Sequence, residues 1–317
     1  MTDRLPFSSL SVIIPTYNRE KVLAKALHGY LAQSSPQLIH ELIVVDDGST
    51  DTTESMVSNV SKQSVFPIRY LRQSNKGPAA ARNFGIREAR SDLVLFTDSD
   101  VIPERDLVEQ HIIRHQKDPR VETAVQGYLA WAPSVNPTPF MRWYGENQLF
   151  SFRELQNKRG ADFRCFYTCN LSLKTEFLRT CGQFDEQFKT AAYEDTELGY
   201  RLSKQGLHLV YSSAAIGYHD QFFSFEDACR KALANAPATR LFLRTEAGRE
   251  ASRLIQTKES RPGYAFGARV ATVVARTLFP FRGFLDSSIP LPGIVYHLFF
   301  WFSMQNAADE NGPSPRQ

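Results

Sequence analysis

The chain has 317 residues, 42% of them hydrophobic and 22% charged, with a net charge of +3. That length can bury a sizeable core, and so ordinary a composition excludes wholesale disorder, collagen and coiled coil. Four cysteines, Cys165, Cys169, Cys181 and Cys229, are too few for a disulfide scaffold and lack zinc-pair spacing; buried thiols in a reducing compartment are expected.

The first ten residues, MTDRLPFSSL, have no basic segment followed by an apolar one, so a cytoplasmic location without a signal peptide is expected. Residues 10–14, LSVII, are apolar and β-branched and stop at Pro15, which predicts a buried strand. Helical spacing of Val22, Leu23, Ala26, Leu27, Tyr30 and Leu31 follows over 20–32. A second strand is predicted at 41–45 (ELIVV), ending at Asp46-Asp47-Gly48, and a helix over 49–60 capped by Ser49 or Asp51. Residues 68–71 predict a third strand and 78–89 a helix with proline in its first turn. Residues 93–96 predict a fourth strand, ending at Thr97-Asp98-Ser99-Asp100. Such alternation implies parallel strands with right-handed crossovers, and polar clusters after three strands should converge at one sheet edge.

Residues 127–166, with Trp131, Trp143, Tyr144 and several prolines, are expected to form loops and short helices over a cleft. Strands are predicted at 169–173 and 207–211, and helices at 175–180 and 195–205. From about residue 225 the chain turns to Ala-, Arg- and Leu-rich helical stretches, broken at Arg261-Pro262-Gly263. An uncharged stretch, 287–304, ends in LFFWFSM. Pro290, Pro292 and Gly293 interrupt it, and no apolar run reaches the roughly 20 residues that span a bilayer. Residues 226–317 hold 12 Lys and Arg against 8 Asp and Glu, so the positive excess lies in the C-terminal third.

Four constellations carry chemistry. Asp98 and Asp100, two apart after a buried strand, suit a divalent cation bridged to phosphate oxygens, or an Asp-rich turn. Asp46-Asp47-Gly48-Ser49 is either a capped βα turn or an acceptor for a ring N–H such as that of uracil. Glu194-Asp195 opens a helix, which favours acids there, or supplies a general base. His219 is a structural or solvated imidazole, or a metal ligand.

Their order along the chain is distinctive. SVIIPTYNR (11–19), ELIVVDDGSTD (41–51), NKGPAAARNFGI (75–86), DLVLFTDSD (92–100) and YEDTELGYRL (193–202) follow one another. This series, over about residues 10–220, resembles the family-2 glycosyltransferases, inverting enzymes of the GT-A fold. The resemblance implies an α/β fold with a mostly parallel central sheet flanked by helices, and a C-terminal helical extension. It implies that Pro15 and Tyr17 line a nucleobase pocket, that Asp47 hydrogen-bonds the base, and that Gly77, Arg82 and Asn83 close over the nucleotide. Asp98 would contact the ribose or a bridging water and share the metal. Asp100 would bind Mn²⁺ or Mg²⁺, with His219 as an extra ligand. Asp195 would be the catalytic base, with Glu194 beside it at the substrate.

The expected partners are a nucleotide-diphospho-sugar donor, UDP-linked by preference, and a saccharide or lipid-linked acceptor, with no nucleic acid. The expected division is 8–224 for the transferase domain, with donor and acceptor halves meeting near 125. A helical region at 225–304 and a flexible tail at 305–317 complete it. A nucleotidyltransferase would place a Gly-rich loop after the first strand, where Pro15-Thr16-Tyr17-Asn18-Arg19 stands, and no G-x-G-x-x-G follows any strand as a dehydrogenase requires. A processive synthase would carry Q-x-x-R-W; Arg142-Trp143 lacks that glutamine, so single transfers are expected. A non-catalytic sugar-nucleotide-binding relative would have lost one of the acids at 98, 100 or 195, and all three are present. The C-terminal helices are either a scaffold or dimer contact, or a monotopic contact with the inner face of the cell membrane. In the latter, Phe299, Phe300, Trp301 and Phe302 would lie in the interface.

Overall fold

Residues 10–14 are apolar on both faces, and in the computed structural model they lie inside β1 (Leu10–Thr16). The structure describes residues 7–149, 162–259, 279–297 and 299–300. The chain continues through α1 (Glu20–Leu31), β2 (Ile39–Asp46), α2 (Thr53–Ser61), β3 (Ile68–Arg72), α3 (Pro78–Glu88), β4 (Leu93–Thr97), β5 (Val101–Pro103) and α4 (Leu107–Lys117). Next come β6 (Thr123–Trp131), α5 (Pro139–Tyr144), β7 (Asn170–Lys174), α6 (Thr175–Cys181), α7 (Glu194–Ser203) and β8 (His208–His219). Three helices follow: α8 (Phe225–Ala234), α9 (Ala236–Arg244) and α10 (Glu246–Glu259).

One eight-stranded sheet has the order β3-β2-β1-β4-β7-β6-β8-β5. Pairings β3–β2, β2–β1, β1–β4 and β6–β8 are parallel, and those of β7 and β5 with their neighbours are antiparallel. The period of two divides the core. Leu10, Val12 and Ile14 pack with Leu23, Leu27 and Tyr30 of α1, Val57 of α2 and Ile112 of α4. Ile13 packs on the other face with Ala79 and Ile86 of α3, Phe177 of α6 and Leu198 of α7. Each fully buried Val, Leu, Ile or Phe among them contributes roughly 1.5–3 kcal/mol, and cover on both faces is why the parallel strands read as continuous apolar runs.

Two stretches depart from the sequence expectation. Residues 127–131, expected to be irregular, complete the nine-residue strand β6. Its interior glycine and buried Gln126 hide the alternation. Beyond it, 133–135 and 145–149 are short helical turns around α5, as the prolines suggested. Helix α4 and strand β5 fill 101–117, where no element was predicted.

By contacts the chain forms two compact units, Met1–Ser134 with Phe150–Gln221, and Val135–Leu149 with Phe222–Gln317. The second has an aromatic core in which Phe140 meets Trp143, Tyr144, Phe225 and Tyr296 at centroid distances of 5.5–6.0 Å. Among the described residues no helix is long and apolar enough to cross a membrane. The break at 261–263, Trp301, Phe302 and the expected tail lie outside the described residues.

Candidate active site

β1, β2 and β4 run side by side and parallel, so Pro15, Asp46-Asp47 and Asp98 all reach the same sheet edge. Tyr17 stands there 46% exposed. Asn18, at φ +50°, donates its N–H to Ser49 Oγ and accepts the Thr50 N–H, both at 2.8 Å. These bonds lock the loop after β1 to the loop after β2.

The two acids after β2 divide their work. Asp46 holds the turn, accepting the Ser49 N–H at 2.8 Å and the Tyr70 hydroxyl. Asp47 accepts Gln73 Nε2 at 2.7 Å and the N–H groups of Lys76 and Gly77 at 2.8 Å. A carboxylate offers about four lone-pair positions, so Asp47 retains room for one further donor. Gly77 lies at φ +95°, and a Cβ there would come within 2.9 Å of the Lys189 carbonyl oxygen, so glycine alone fits without strain.

From α3, Arg82 enters the site fully buried. Nη1 donates to Glu194 Oε1 at 2.8 Å and Nη2 to Asp98 Oδ1 at 2.9 Å, with the Phe184 ring 5.7 Å away. Burial disfavours the cation, but the carboxylates of Asp98, Glu194 and Asp195 outweigh it and raise its pKa. Asn83 fastens the neighbouring segment: its carboxamide bonds both backbone groups of Phe184 at 2.9 Å and Glu186 Oε1 at 3.0 Å.

At the start of α7, Glu194 is buried, with Oε2 unpartnered, while Asp195 is half-buried and accepts the Thr196 N–H at 2.7 Å. Burial raises the pKa of both, with the negative charge of Asp98 adding to it and Arg82 opposing.

Asp100 and His219 meet through the sheet. β5 leaves the Asp98-Ser99-Asp100 turn and pairs with the end of β8, Val101 opposite His219. His219 Nε2 stands 3.8 Å from Asp100 Oδ1, its Nδ1 is buried without a partner, and Trp131 packs against the ring edge-on at 5.4 Å. A bulge aims this strand end. The β6–β8 register jumps from Gly127↔Ser212 to Tyr128↔Ile216, and Asn170 Nδ2 spans the gap to the carbonyls of Tyr128 and Ala215 at 3.0 and 2.9 Å. A Cβ on Gly127 would fall 2.2 Å from that nitrogen, so glycine is required here too. Asp98 turns to Arg82 instead, and among the described residues no three His, Cys, Asp or Glu side chains gather as a metal cluster.

The profile described as Glycosyl transferase family 2 matches residues 11–182. The chain belongs to this family. Over 250 residues it is 30% identical to chondroitin synthase of Escherichia coli, covering 69% of this chain and 35% of that protein. Over 232 residues it is 32% identical to validoxylamine A glucosyltransferase of Streptomyces hygroscopicus subsp. limoneus, covering 66% and 51%. The family-2 chain thus spans about a third to a half of these relatives. Mannosyltransferase PcManGT of Pyrobaculum calidifontis, solved with GDP-Man and Mn²⁺, is similar in structure at TM-score 0.59 and 18% identity, covering 95% of this chain and 88% of that one. S. aureus TarS 1-349 with UDP-GlcNAc gives TM-score 0.55 at 17% identity, covering 95% and 92%. These likenesses show the GT-A fold for this family-2 chain.

Two features of the site escaped the motifs. Arg19 lies inside SVIIPTYNR, yet only the parallel β1–β4 pairing places it against Asp100. The Gly127–Asn170 bulge that aims His219 joins positions 43 residues apart and leaves no local signature.

Proposed function

We propose that this chain transfers one sugar per encounter, with inversion, from a nucleoside-diphospho-sugar to a hydroxyl of a saccharide or lipid-linked acceptor. UDP is the favoured nucleotide. The observation that carries the proposal is the division of acids around Arg82. Asp98 and Glu194 are engaged in ion pairs with it, while Asp195 forms none among the described residues and has a raised pKa. A half-buried carboxylate of raised pKa that is not tied up in an ion pair is a suitable base. The acceptor oxygen attacks the anomeric carbon, its proton passes to Asp195, and the sugar–phosphate bond breaks with its electron pair leaving on the nucleoside diphosphate.

Asp100 and His219 fit a divalent cation. Asp100 Oδ1 and His219 Nε2, 3.8 Å apart, would hold the ion, and a hard oxygen with a borderline imidazole nitrogen suits Mn²⁺. Bound Mn²⁺ or Mg²⁺ would supply Lewis-acid stabilisation of the leaving diphosphate. Pro15, Tyr17 and the remaining acceptor position of Asp47 would receive the base. In the second unit, Arg230, Lys231, Arg240, Arg244, Arg249 and Arg253 on α8–α10 support contact with an anionic membrane surface.

Thermal unfolding with UDP, GDP, CDP and dTDP, each with and without Mn²⁺, tests the donor site. A ligand at 100 times its dissociation constant adds about 2.7 kcal/mol. One nucleotide should raise the melting temperature only with metal, and Asp100→Asn should remove the rise. No shift with any nucleotide would overturn the donor reading.

A further inference from the structure

Arg19 ends the loop after β1. Its Nη1 lies 2.5 Å from Asp100 Oδ2, while the other Asp100 oxygen faces His219. Arg19 therefore already neutralises, through Oδ2, the carboxylate whose Oδ1 would hold the proposed metal with His219. The pair is asymmetric: the Asp100 side chain is 6% exposed and that of Arg19 45%. Arg19 also lines an open cavity of about 490 Å³ with Asn18, Lys21, Asp51 and Asp100. The backbone on either side of it is fixed. Asn18 is tied to Ser49 and Thr50, and the Glu20 N–H donates to Asp51 Oδ2 at 3.2 Å. Only the Arg19 side chain is left to move, on a flexible stem, with the cavity beside it.

We infer that Arg19 is a placeholder cation that neutralises Asp100 while no donor is bound and exchanges Asp100 for the donor diphosphate when metal and nucleotide enter. The inference rests on the metal-dependent donor site proposed above. A half-exposed ion pair contributes little, so a compact divalent ion that coordinates the carboxylate directly displaces it. The released guanidinium has the planar fork that matches phosphate oxygens. Two consequences follow from linkage. Metal alone must compete with Arg19 and binds weakly. Nucleoside diphosphate, by drawing Arg19 away, strengthens metal binding, so the two ligands bind cooperatively.

Mn²⁺ binding to the full chain, read by electron paramagnetic resonance of the free ion with and without UDP, tests this. Arg19→Ala should bind Mn²⁺ alone about three- to fivefold more tightly, the size expected from removing a half-exposed ion pair, and should lose most of the enhancement by UDP. Arg19→Lys keeps the charge and should bind Mn²⁺ alone as weakly as the unaltered chain. If Arg19→Ala leaves Mn²⁺ affinity unchanged while Asp100→Asn abolishes it, the metal site stands and the placeholder role is overturned. If Arg19→Lys behaves as Arg19→Ala does, charge competition is not the cause and the inference also falls. If Asp100→Asn binds Mn²⁺ with UDP as well as the unaltered chain, both the metal site and the inference are overturned.

Discussion

Arg82 shows how one side chain organises the acids. It is buried between carboxylates 16 positions later and 112 positions later, and a buried charge is tolerated only when paired. Arg82→Met should therefore cost about 3–5 kcal/mol in urea unfolding, because Glu194 is left as an uncompensated buried charge. Adding Glu194→Gln to Arg82→Met should recover part of that loss, and a loss that is merely additive would deny the coupling. The acids themselves were legible in the sequence, because each sits at a strand end or helix start where polar residues interrupt an apolar pattern. Their clamp was not legible. Arg82 lies on a helix rich in alanine, and nothing local distinguishes it from a solvated arginine.

A polar seam runs between two elements. Asn170, Ser172 and Lys174 alternate along one face of β7, against His111 and His115, one turn apart on α4. Asn170 Oδ1 can only accept, so His111 Nε2 carries the proton and His111 Nδ1 accepts from Ser172. His115 Nε2 then donates to Ser172, and Lys174 Nζ donates to His115 Nδ1 at 2.9 Å. Burial lowers the His111 pKa from 6.5 to about 4, and burial with nearby Lys174 lowers His115 as well. Between about pH 6.5 and 4 these two histidines bind more protons in the unfolded chain than in the folded one, so their contribution to stability is lost as pH falls across that window. For His111 the loss approaches about 3 kcal/mol. The raised pKa values of Glu194 and Asp195 act the other way, so the test is a difference: between pH 7 and 4.5, urea unfolding of His111→Gln should gain stability relative to the unaltered chain as pH falls, and a constant difference would deny the role of His111. The same seam ends at Asn170, which bridges the bulge that aims His219, so the element that sets acid stability also supports the site.

At the scale of the molecule, α8–α10 set exposed Leu233 and Leu243 among arginines and a lysine. Cosedimentation of the full chain with vesicles containing phosphatidylglycerol should exceed that with neutral vesicles and decline as salt rises. Each basic residue near an anionic surface is worth about 1 kcal/mol, so Arg240→Glu with Arg244→Glu should weaken binding at least tenfold. Equal partition to neutral vesicles would remove the electrostatic contact with lipid, and failure to sediment with either vesicle would leave the helices a scaffold or dimer role.

The alternation of apolar strands and amphipathic helices over residues 10–97, and the polar clusters ending three of those strands, could be read from the chain because both depend on periods of 2 and 3.6 residues. The family motifs lie on that same local frame. What only the tertiary structure decided were the pairings over long separations: β7 inserted antiparallel between β4 and β6, the Asn170-filled bulge, the Arg82 clamp and the Arg19–Asp100 contact. Each depends on strand order and register, and these are set by closing the sheet as a whole. No window of neighbouring residues contains that information.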